Sequence, residues 1–236
     1  MSDLVQVGTP QPLVGSAERP SLEYQHAFDL IAVALHGLEG PVAVLASHPF
    51  HARELAARLD TVQGGLFLLA DSLESNGEPT ACLGPESMGK TRHLEQVHAS
   101  SLAALVWAEP ERDSGPGVLQ RIGPAMAPAG VLHVVTSTLL RRFLPEWRGA
   151  AGHPAQHPAG HGATLRWLHR AGWQVEQRFG FHGPRSVLWG LAARAAVVVG
   201  RRDGSDRCLA AMRMHYVVCG AEAMMAPVAL LVARKR

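Results

Sequence analysis

Two short apolar runs with a helix-length segment between them constrain this chain more than any other feature. Leu102 to Ala108 and Val131 to Val135 are each a short apolar run of the length of a buried strand. Gly117 to Met126 separates them with helical spacing and is expected to be shortened by Pro124. A breaker cluster, Pro128 to Gly130, is read as the turn into the second strand. Strand, helix, turn and strand in this order make a βαβ unit, the building block of a parallel sheet. Ligands of such sheets bind at the carboxyl ends of the strands, so Glu109 and Thr136 to Thr138 are expected at the rim that matters.

The rest of the chain extends that unit. Met1 to Leu22 mixes Gly, Pro, Ser and Thr without periodicity and reads as an arm. From Tyr24 to Leu38, Phe28, Ile31, Ala34, Leu35 and Leu38 recur at helical spacing until Gly40-Pro41. Val42 to Ala46 is a first strand, and Pro49 suits the opening of the next helix. Leu66 to Ala70 is a second strand ending at Asp71, and Ala81 to Leu83 offers a short third. Arg148 to Gly162 is too rich in Gly and Pro for anything but a loop. Beyond it come a helix through Leu165 and Leu168 stopped at Gly172, and a strand over Trp173 to Phe181. Two helices over Pro184 to Gly200 and Asp206 to Cys219 follow, and Val228 to Ala233 closes the chain as a strand.

The resulting expectation is an α/β chain: a Rossmann-like, seven-stranded, mainly parallel sheet with an antiparallel last strand and a helical insertion near the C-terminus. It divides as an arm (1–23), a core (24–183), a helical cap or dimerisation element (184–220) and a closing strand (221–236). The apolar residues of that insertion, Leu188, Trp189 and Val198 among them, call for a homodimer interface or a bulky apolar substrate.

Bulk properties exclude several functions. With 236 residues the chain can bury a large core, and 47% hydrophobic content rules out a mainly disordered protein. A net charge of +2 provides no field for nucleic acid. No apolar stretch reaches the length of a membrane span, so no membrane partner is expected. Three cysteines, Cys82, Cys208 and Cys219, have no ligand spacing and read as reduced thiols of a cytoplasmic protein. Of the thirteen histidines, His153, His157 and His161 recur every four residues. The glycines and prolines around them forbid a helix, so a loop over the rim is expected and no metal site. Gly84, Gly89, Lys90 and Thr91 meet the literal spacing of a phosphate-binding loop. Pro85 and Glu86 sit where phosphates would rest, and no strand leads in, so nucleotide hydrolysis is set aside.

Three segments together resemble the class I S-adenosylmethionine-dependent methyltransferases over Tyr24 to Arg236. Met126-Ala-Pro-Ala-Gly130 resembles that family's turn into its fifth strand. Leu168-His-Arg-Ala-Gly-Trp-Gln-Val175 resembles the entry to its sixth, and Ala226 to Arg234 its antiparallel seventh. The resemblance implies S-adenosylmethionine as cofactor, with Asp71 on the ribose and Ser47 and His48 beside the methionine part. It further implies a small apolar or aromatic acceptor met by Glu109, His182 and Arg185, with Trp107 as a further substrate contact. Histidine can take a proton from the acceptor and arginine can grip a carboxylate. Each residue has a plainer role: Asp71 as a helix cap, Glu109 as an ion pair with Arg112, Trp107 as core, and Arg185 as a partner of Glu176.

One departure stands out. Val44 to Phe50 holds neither the acidic residue nor the Gly-x-Gly-x-Gly loop of the family, and each Cβ there hinders backbone approach to a cofactor. The alternative reading is therefore a cofactor-free pseudoenzyme acting as a binding or scaffolding partner in a biosynthetic or maturation complex.

Overall fold

The structure is a computed structural model that describes residues 22–47, 49–60, 62, 65–69, 91–92, 96–112, 115–138 and 159–236. Helix α1 (Leu22–Leu35) leads into β1 (Val42–Ala46), α2 (Pro49–Arg58), β2 (Leu66–Leu69) and β3 (Thr91–Arg92). The central βαβ unit is β4 (Leu102–Ala108), α3 (Gly115–Ala125) and β5 (Met126–Ser137). Then come α4 (His161–Arg170), β6 (Trp173–Phe181), α5 (Pro184–Val198), α6 (Arg202–Met214), β7 (Val217–Cys219), a 3-10 helix (Gly220–Met225) and β8 (Val228–Lys235).

These strands form one sheet in the order β3-β2-β1-β4-β5-β8-β6-β7. The pairs from β3 to β5 are parallel; β8 runs antiparallel to both β5 and β6. The mainly parallel sheet closed by an antiparallel strand is thus present, with β7 as a short eighth strand on its edge. β7 pairs with Phe179 to Phe181 alone, so the first part of β6 is the sheet's margin among the described residues. The strand expected at Ala81 to Leu83 lies outside the described residues.

Side chains alternate between two cores, as a pleated strand requires. On one face Val42, Val44 and Ala46 of β1 and Val106 of β4 meet Tyr24, Phe28 and Ile31 of α1 and Leu55 of α2. On the other, Leu45, Leu105 and Trp107 meet Val118, Leu119 and Ile122 of α3. α1 ends where β1 begins, so its first turn lies at the carboxyl edge of the sheet, beside the tips of β1 and β4.

Several boundaries differ from expectation for identifiable reasons. Pro128 to Gly130 is no helix-to-strand turn. Helix α3 runs through Pro124 to Ala125, and the breakers form a bulge inside β5: Leu102 pairs with Met126 but Ala104 with Val131. The amides of Ser100 and Ser101 donate to the carbonyls of Pro124 and Ala125, which lets the helix end there. α6 begins at Arg202, four residues early, and Val217 to Cys219 is extended because it adds to the open edge of β6. His161 and Gly162 lie in α4, not in the loop expected to reach Gly162.

The insertion leaves the sheet after Phe181 and returns at Val217, and these two residues are directly paired. α5 and α6 therefore start and finish at the carboxyl edge. Behind that exit Gly180 lies flat against the 3-10 helix: a Cβ there would stand 2.7 Å from Ala223 Cα and from Ala226 Cβ. Gly180→Ala is expected to lower stability by about 1–3 kcal/mol through overpacking against backbone, which urea denaturation would read as a lower midpoint at unchanged slope.

Candidate functional site at the carboxyl edge

The strand order reverses between β1 and β4, and this switch point is where open α/β sheets hold ligands. Ser47 and Glu109 occupy it, one residue beyond each strand. The Ser47 amide donates to the Ala108 carbonyl at 3.2 Å, and its hydroxyl donates to the Glu109 carbonyl. Glu109 has φ +53°, a left-handed conformation that a side chain with a Cβ rarely adopts. It is held there because its amide also donates to the Val135 carbonyl at 2.8 Å. The turn aims the Glu109 carboxylate back at α1, where it accepts the phenolic hydrogen bond of Tyr24. Tyr24 is fully buried, with its ring 4.6 Å from that of His51 and 6.0 Å from Phe28.

A second group lies at the end of β6. His182 has φ +63°, and its amide donates to the Tyr216 carbonyl at 2.7 Å. Its Nδ1 stands 3.1 Å from the Ser186 hydroxyl, and its ring packs 5.3 Å from that of Tyr216. Burial lowers the His182 pKa below the ordinary 6.5, against a smaller opposing pull from the Glu23 carboxylate. Burial, with Glu23 adding to it, pushes the Tyr216 phenol far above its usual value. Both groups are therefore neutral near pH 7. The first turn of α1 joins the two halves: Tyr24 reaches Glu109, Glu23 acts on His182 and Tyr216, and the His26 ring lies 4.7 Å from Tyr216.

The other expected residues are placed as follows. Trp107 packs in the core: it faces α3 on the opposite side of the sheet from Tyr24 and is 2% exposed, the plainer of the two roles open to it. Arg185 is exposed on the first turn of α5, and Glu176 pairs with Arg234 at 3.1 Å instead. Ser47 spends its hydroxyl on Glu109. His48 and Asp71 lie outside the described residues, as do His153, His157 and Lys90. Thr136 and Thr138 tie the end of β5 to the Ala159 and Ala226 carbonyls. His161 is buried, and its pKa falls to about 4 through desolvation and the nearby Arg178. No cluster among the described residues could hold a metal ion.

Neither Glu23 nor the phenols of Tyr24 and Tyr216 were given a site role from sequence. Tyr24 read as the first apolar residue of a helix, and nothing local shows that its hydroxyl meets a carboxylate 85 positions away.

No family model matches the chain, and no curated protein sequence matches it. Solved structures do. A SAM-dependent methyltransferase from Thermotoga maritima aligns with TM-score 0.54 at 11% identity, over 91% of this chain and 92% of its own. A geranyl diphosphate methyltransferase in complex with SAM aligns at 0.51 and 10% identity, over 90% and 85%. The fold is that of the class I methyltransferases. The same methyltransferase fold is shared at 0.50 and 14% identity, over 89% and 81%, by the 4+2 cyclase SpnF, so the fold alone does not fix a reaction.

Two measurements test this arrangement. Tyr24→Phe removes a hydrogen bond to a buried carboxylate and is expected to cost about 1–3 kcal/mol, whereas Glu109→Gln, which still accepts the bond, should cost less in the same denaturation series. His133 in β5 is buried, its Nδ1 has no hydrogen-bond partner among the described residues, and desolvation lowers its pKa to about 4 from 6.5. The unfolded chain binds that proton first as pH falls. Stability is thus unaffected by His133 above pH 6.5 and declines toward pH 4 by up to about 1.4 kcal/mol per pH unit. His133→Leu should flatten that limb of a pH-dependent melting series.

Proposed function

We propose that the protein binds S-adenosylmethionine at the carboxyl edge and transfers its methyl group to a small apolar or aromatic acceptor. One observation carries the reading. Among the described residues, the non-glycine positions with positive φ are Ser100, Glu109 and His182, and the last two lie at the carboxyl ends of β4 and β6. Strained backbone persists where the surroundings over-determine it, and it concentrates at functional sites. Here it aims a carboxylate and a neutral imidazole toward the first turn of α1 from two strand ends.

The chemistry of the donor set suits this cofactor. A sulfonium is cationic, and Glu109 and Glu23 supply negative charge at the rim. When bound, the cofactor supplies an activated methyl group, so the chain needs to align it with a nucleophile and remove a proton. Asp71 is assigned to the ribose on the resemblance, with His48 beside the methionine part. Ser47 acts through Glu109, holding the end of β1 against β4. His182 is the proton acceptor. With Nδ1–H donating to Ser186, Nε2 carries the lone pair that takes the acceptor's proton. Arg185, exposed at the mouth of the insertion, meets an anionic part of the acceptor.

The second reading is a cofactor-free binding or scaffolding role. It is favoured by the closure of Ser47 on Glu109 and by the missing glycines between Val44 and Phe50. Calorimetric titration with S-adenosylmethionine and S-adenosylhomocysteine separates the two. Saturable binding that weakens at least tenfold in Asp71→Ala is expected. Absence of heat at high protein concentration would leave the partner role. For an active enzyme, the acid limb of kcat/KM should have its midpoint below 6.5, the direction of the His182 shift, and His182→Asn should remove about 10²–10⁴-fold of kcat.

A further inference from the structure

The large apolar side chains that are exposed among the described residues, Leu22 and Val33 apart, all lie between Leu188 and Met225. On α5, Leu188, Leu191, Ala195 and Val198 recur at intervals of three and four, which places them on one face, and this face is exposed. α5 packs mainly on α6 and leaves the sheet for fifteen residues, about 22 Å at 1.5 Å per residue. At its far end Val197, Val198 and Val199 are 60%, 86% and 68% exposed. Gly200, with φ +74°, turns the chain, and Arg201 and Arg202 follow, both exposed. Three exposed valines in a row beside two arginines form an apolar tip with a cationic collar.

Charge selects the occupant. From Pro184 to Met214 there are six arginines and no lysine, against Asp203 and Asp206, a net +4. The whole chain carries +2, so everything outside this hairpin sums to −2. A two-fold contact between copies that set one apolar tip against the other would bring both pairs of tip arginines together, which repels. An anionic lipid surface instead takes the valines into its headgroup boundary and pairs its phosphates with the guanidinium groups. We propose that the α5–α6 hairpin is a peripheral docking element for an anionic bilayer. No helix among the described residues is long and apolar enough to cross a membrane, and this mode of attachment needs none.

The inference is independent of methyl transfer and is tested without it. The full chain is sedimented with vesicles of phosphatidylglycerol mixed with phosphatidylcholine, and with vesicles of phosphatidylcholine alone. Binding to the anionic vesicles is expected to be at least tenfold stronger and to weaken as salt is raised. Val198→Asp and the double change Arg201→Glu with Arg202→Glu should each reduce it at least fivefold. All three residues are exposed, so unchanged melting curves will show that the variants fold. No sedimentation with anionic vesicles at low salt overturns the proposal, as does binding that neither variant alters. Light scattering that finds a dimer in the wild type and a monomer in Val198→Asp would also overturn it, and would assign the face to a second copy.

Discussion

The left-handed turn at Glu109 organises the functional edge of this molecule. Three backbone or hydroxyl groups hold it: the Ser47 hydroxyl on its carbonyl, the Val135 carbonyl on its amide, and Ala159 on the following Pro110 carbonyl. These bonds join the tips of β1, β4 and β5 to the chain that enters α4. Left-handed backbone at a residue with a Cβ costs about 1–2 kcal/mol, and this net offsets it. The return is orientation. With ordinary φ the carboxylate would leave the sheet in another direction, and the Tyr24 phenol would lose this bond.

The parts of the fold that were legible in the sequence are those set by burial. β1, β4, β5 and β8 have burial on both faces, so their apolar runs identify them without reference to anything distant. The order of elements also followed from local cues: Gly172 turns the chain out of α4, and Gly40-Pro41 keeps α1, which already stops at Leu35, apart from β1. What escaped was decided by distant partners. The bulge in β5 depends on how much chain β4 offers opposite it. The start of α6 depends on its packing against α5, and β7 exists because β6 has an open edge to receive it.

The site was legible in a narrower sense. Glu109 and His182 stood out because each lies at the end of a strand run, and strand ends are rim positions by topology alone. Trp107 stayed open between core and ligand in the sequence because alternation assigns a residue to a face but does not say which face carries a site. Tyr24 and Glu23 were invisible because the signal that matters is tertiary: a helix must lie antiparallel to the sheet for its first turn to reach the carboxyl edge. Composition cannot report that. The same reason separates fold from reaction here, since the sheet order matches solved methyltransferase structures while the glycine-free end of β1 does not follow that family's pattern.

The direct pairing of Phe181 with Val217 has a consequence for how such a chain can change over evolutionary time. Thirty-five residues depart from the sheet and come back to the neighbouring strand within one residue pair. The sheet therefore registers the insertion as a closed excursion whose length, charge and apolar content are free variables. A shorter, longer or differently charged hairpin could be exchanged there without altering the order of any strand. What the hairpin meets and what the rim holds can thus drift separately, linked through the few residues at the hairpin's base.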